Sequence, residues 1–111
     1  MTASSVAAVT VNDPALVARL ETALRRELGD ARVVEQIRVM ASEDFCEYAR
    51  DGIPIVTMQL GATTPATLAK AKAEGTALPS LHSSLFAPDA QPTITTGIEA
   101  LVAAAKGVFG H

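Results

Sequence analysis

The chain has one cysteine, no tryptophan and only 4% aromatic residues, and its nine Lys and Arg are outnumbered by twelve Asp and Glu. Each scarcity excludes something. A lone Cys46 forms no internal disulfide, which points to a reducing compartment and to the cytoplasm as the expected location. Few aromatics leave little to stack bases on, and a formal net charge of -3 lacks the basic excess that neutralises phosphates, so nucleic acid is not an expected partner. No apolar run approaches the ~20 residues that cross a bilayer, and no basic amphipathic segment suits a membrane surface, so no membrane partner is expected. Residues 1–11 are apolar but carry neither a positive n-region nor a clear cleavage site, and are not read as a signal peptide. Internal repeats and low-complexity linkers are absent too.

What remains is 111 residues, 49% hydrophobic, rich in Ala, Val and Leu, which suits one small domain spanning 1–111. The expected fold class is α/β, with helices packed on a small sheet. Residues 6–11 read as a strand feeding a helix over 14–28. Asp13 is placed to accept first-turn amides, Pro14 takes the first helical position, and Leu16, Leu20, Leu24 and Leu28 recur every fourth residue, with Val17 widening the stripe. Glu21 and Arg25 are set as a pair four apart, and Gly29 supplies a left-handed stop. A second strand is expected early in 32–39. Ser42 then caps a short helix that carries Phe45 and Ala49 inward and closes near Gly52. The nearly continuous apolar run 53–60 reads as a strand covered on both faces, ended at Gly61, where a small residue lets backbone or ligand come close. Thr64, Pro65 and Gly75 bracket a helix with a thin apolar stripe. Residues 76–88 form a long loop, and a final helix spans about 91–109 on Ile94, Ile98, Leu101, Val102, Ala105, Val108 and Phe109. Gly97 inside that helix predicts close packing beneath it.

Little in these residues carries chemistry by itself. Zinc sites use three or four closely spaced ligands, and His82 has no paired histidine or cysteine motif around it. A lone loop histidine is most often a hydrogen-bonded surface or core residue. Glu43 and Asp44, in a helix's first turn, serve capping in the simplest reading. Ser42, Ser83 and Cys46 lie in no nucleophile elbow and beside no evident base, so no catalytic residue is assigned.

The order of the features says more. Asn12-Asp13-Pro14-Ala15-Leu16, the leucine-striped helix, Met40-Ala41-Ser42-Glu43-Asp44-Phe45, Gly52-Ile53-Pro54, Leu60-Gly61-Ala62, Leu81-His82-Ser83 with Phe86, and Gly97-Ile98 together resemble the C-terminal part of amidohydrolase-type metallopeptidases. That group comprises the aminoacylases, hippurate hydrolases and carboxypeptidase G, peptidase family M-twenty, and the likeness runs from about Val9 to Phe109. It implies the closing portion of a three-layer, zinc-peptidase-like catalytic domain, with residues 1–11 the end of an inserted lid and dimerisation domain. It implies that His82 descends from the last metal ligand, for zinc first and for manganese, cobalt or nickel as alternatives. Ser42, Glu43 and Asp44 would line the substrate side in a supporting role, with Gly61 and Ser83 shaping the same cleft. Substrates would be N-acyl amino acids or small peptides. The family's first histidine motif, its acidic pair and its lid histidine have no counterpart here, and two-metal hydrolysis needs them. The expectation is therefore a partial metal-dependent amidohydrolase, inactive alone, that self-associates or pairs with the missing catalytic half. The alternative is a non-catalytic α/β binding or assembly module that keeps the scaffold.

Overall fold

A computed structural model describes residues 9–35 and 44–110. Among the described residues four α-helices follow one another: α1 (Pro14–Leu28), α2 (Cys46–Arg50), α3 (Pro65–Glu74) and α4 (Ala90–Phe109), with a 3-10 turn at Asp30–Arg32 after α1. The local chemistry of α1 is as its sequence requires. Asp13 Oδ1 accepts the Leu16 N–H at 2.7 Å, and Glu21 pairs with Arg25 at 2.7 Å. Gly29 ends the helix at φ 86°, ψ 151°, which is positive-φ but extended rather than left-handed helical. Leu20 and Leu24 are buried, together with Ala23. Helix α3 likewise has its Thr64 cap, Pro65 and a left-handed Gly75.

The expected α/β architecture is overturned, because the described residues contain no strand and no sheet. Val9 makes one isolated bridge, and among the described residues the run 53–60 meets the chain ahead of α1 through Ile55 and Thr57. The Asp13 N–H donates to the Ile55 carbonyl at 2.8 Å. Beyond that bond the Asn12 side chain substitutes for a neighbouring strand: its Oδ1 accepts the Thr57 N–H at 2.8 Å and its Nδ2 donates to the Thr57 carbonyl at 3.1 Å. Apolar continuity suits a strand, but a ladder also needs a neighbour in register. Nor is the run covered on both faces, since Ile55 is buried while Ile53, Met58 and Leu60 are exposed. Of the strand expected early in 32–39, residues 33–35 form no ladder, with Val33 extended, and 36–39 lie outside the described residues.

Helix α2 is shorter than expected and turned differently. Phe45 and Ala49 lie outward and Cys46 is the buried residue. Phe45 instead meets Tyr48 edge-on, ring centres 5.4 Å apart, on the surface.

The principal helix packing among the described residues joins α1 to α4. Its contact face on α4 is the small one. Ala103 is 1% exposed, and a Cβ on Gly107 would lie 2.8 Å from the Cβ of Ala23. Arg19 of α1 donates from Nε to the Gly107 carbonyl at 2.8 Å and from Nη2 to the Val108 carbonyl at 2.7 Å, closing the C-terminal end of α4. The Arg32 guanidinium reaches Thr96 Oγ1 at 2.8 Å and Glu99 at 3.4 Å. Gly97 has the close neighbour its position foretold, with Leu60 Cδ2 lying 3.1 Å from where its Cβ would stand.

Candidate functional site

The loop between α3 and α4 is held at both ends before it presents anything. At the α3 side the Thr64 side chain takes the Thr67 N–H at 3.3 Å. At the α4 side Asp89 joins the two helix starts: its carboxylate accepts the Thr64 N–H at 2.6 Å and the Thr67 hydroxyl at 3.1 Å, while its own N–H donates to the Ala62 carbonyl at 2.8 Å. These donors, the Thr64 backbone first, hold the Asp89 carboxyl below its ordinary value of 3.8.

Between those anchors, residues 80–83 make a tight turn closed by the Ser83 N–H donating to the Ser80 carbonyl at 3.1 Å. His82 occupies the third position at φ 70°, the one residue other than glycine with positive φ among those described. The residue is exposed. Ser83 organises the next turn: its Oγ accepts the Leu85 N–H at 3.2 Å and its carbonyl accepts the Phe86 N–H at 3.0 Å. Ser83 therefore shapes the loop that carries His82, a role within reach of its residue type but invisible to periodicity.

Asp44 is exposed, and its carbonyl accepts the Glu47 N–H at 3.0 Å in the turn that opens α2. Gly61 is exposed, and a Cβ there would meet no protein atom within 4 Å. Ser42 and Glu43 lie outside the described residues. No three His, Cys, Asp or Glu side chains converge as metal ligands among the described residues, so the donor set they offer is one imidazole and does not fit a two-metal centre. Two open grooves indent the surface, about 410 Å³ beside Arg32, Gln91 and Glu99 and about 270 Å³ beside Arg19, Arg26 and Lys106, and neither includes His82. No described helix is long and apolar enough to cross a membrane.

No curated protein and no solved structure matches the chain. The family profile described as Peptidase family M20/M25/M40 matches residues 1–85, which takes in α1, the run 53–60 and the His82 turn but stops short of α4. The chain belongs to that family, whose members are generally metal-dependent and act on peptide substrates.

Proposed function

We propose that this chain is the closing segment of an M20-type catalytic domain, contributing one metal ligand, His82, to a centre whose remaining ligands and general base come from another polypeptide. The observation that supports it is the family match running through a turn that holds an exposed histidine at φ 70°. The histidine is exposed, where a second surface can meet it. Alone, the chain has no hydrolase activity in this reading. Completed, it cleaves the amide bond of N-acyl amino acids or small peptides with divalent metal, zinc first. Asp44, Ser42, Glu43, Gly61 and Ser83 take supporting positions beside the substrate. A cytoplasmic setting is part of the same reading and is supported by the single cysteine.

Mixing the purified chain with the upstream half of an M20 peptidase tests this. Metal-dependent release of amino acid from N-acyl substrates is expected from the mixture and not from either part, and His82→Ala should remove it. Hydrolysis by the chain alone, or restored hydrolysis indifferent to His82, would overturn the assignment. Zinc calorimetry on the chain by itself should show no binding tighter than millimolar, as one imidazole predicts.

A further inference from the structure

Helix α3 and the loop that returns from it form a closed circuit. The chain enters past Ala62 and Thr64, follows α3 for ~15 Å at about 1.5 Å per residue, turns at Gly75 and comes back through residues 76–88 to Asp89, beside its point of entry. Asp89 closes the circuit with backbone and side chain together. Its N–H donates to the Ala62 carbonyl at 2.8 Å, and its carboxylate takes the Thr64 N–H at 2.6 Å and the Thr67 hydroxyl at 3.1 Å. With its hydrogen given to Asp89, the Thr67 hydroxyl can only accept from Thr64 Oγ1, 3.0 Å away. The neck is thus one connected set of bonds, and Asp89 is its charged member.

We propose that Asp89 is the positioning residue for His82, a clasp at the neck of residues 64–89 whose release frees the His82 turn while α1 and α4 stay packed. Two observations carry this. The turn is coupled to the clasp by a short, stiff path: turn 80–83 shares Ser83 with the turn closed by the Phe86 N–H, and only Ala87 and Pro88, whose ring fixes φ, separate Phe86 from Asp89. The circuit is also separate from the body. Among the described residues α3 packs on no other helix, whereas α1 and α4 pack on each other, and Leu60, just ahead of the neck, lies against α4 at Gly97. Opening the clasp therefore costs the turn its anchor and the helix pair nothing of its contact. The inference rests on the reading of His82 as the functional group only for its consequence, since the order of the turn is a property of this chain by itself.

Backbone order parameters from nitrogen-15 relaxation on the full chain are the experiment. In the native chain residues 82–86 and the amides of Leu24 and Ala103 should all lie near the ~0.85 of rigid backbone, and Asp89→Ala should drop residues 82–86 below ~0.6 while Leu24 and Ala103 stay near ~0.85. Thr67→Val, which removes one bond of the neck and keeps the carboxylate, should loosen the same residues by less. Residues 82–86 as rigid in Asp89→Ala as in the native chain would overturn the proposal, because the turn would then support itself. Equal loosening of Leu24 and Ala103, or an Asp89→Ala chain that does not fold, would overturn it too, by making Asp89 a support of the whole molecule. The measurement needs neither metal nor a second polypeptide, so its failure is distinguishable from a failure of His82-dependent hydrolysis.

Discussion

At φ 70° a histidine sits where glycine has no penalty and other side chains are strained by roughly 1 kcal/mol or more. Replacing His82 by glycine should therefore raise the urea midpoint of the chain by an amount equivalent to about 1 kcal/mol, whereas His82→Ala keeps the strain and leaves the midpoint where it was. In the reconstituted enzyme both should be equally inactive. That opposition, with stability improved and activity lost, separates a ligand from a turn former. The imidazole was legible as a candidate from its residue type and its place in the family-like order of features. Its backbone was not, because neither Leu81-His82 nor Ser83 carries the Gly or Asn that usually marks a positive φ. Ser83 shapes the turn that carries His82, and a Cβ on Gly61 would meet no protein atom within 4 Å.

Among the elements, α4 shows how a correct period can mislead about a face. Its helical repeat is plain in the sequence, yet two faces are apolar, and the bulky one dominates the pattern although the small one allows the closest approach to α1. Gly107→Ala would drive a methyl to 2.8 Å from the Ala23 Cβ, fixed on the facing helix, and should destabilise by about 1–3 kcal/mol in chemical denaturation. Gly97→Ala meets only the tip of an exposed Leu60 at 3.1 Å, which can swing aside, so the helix-propensity gain of up to about 1 kcal/mol should prevail and raise stability. A second element-level consequence is acid sensitivity. Asp89 titrates below its ordinary 3.8 in the folded chain, so its link between the starts of α3 and α4 is intact above that pH and is lost as pH falls through the lowered value. Melting curves from pH 6 to pH 2 should show a steeper acid decline for the native chain than for Asp89→Asn, which starts lower and changes less. The cap residues Asp13 and Thr64 were readable from their types. Arg19 was not, since it closes the end of α4 across a sequence distance no local pattern spans.

On the scale of the whole molecule, the helices at 14–28, 65–74 and 90–109 were legible and the sheet was not there among the described residues. The difference is one of range. Helices satisfy their backbone within the segment, so caps and period suffice; strands are completed by something else, and apolar β-branched composition says only that a segment is willing to be one. The same distinction separates the site from its chemistry. A single imidazole is a local fact, while a metal centre is a convergence of several.

The pairing of Asn12 with Thr57 bears on how this chain resists fibrous assembly. An apolar run whose backbone groups stand free invites further chains to pair with it in cross-β order. Where the Asn12 amide sits, both backbone polar groups of Thr57 are already engaged, so a templating strand arriving there finds neither donor nor acceptor. A single polar side chain thus stands guard at the middle of the apolar run 53–60.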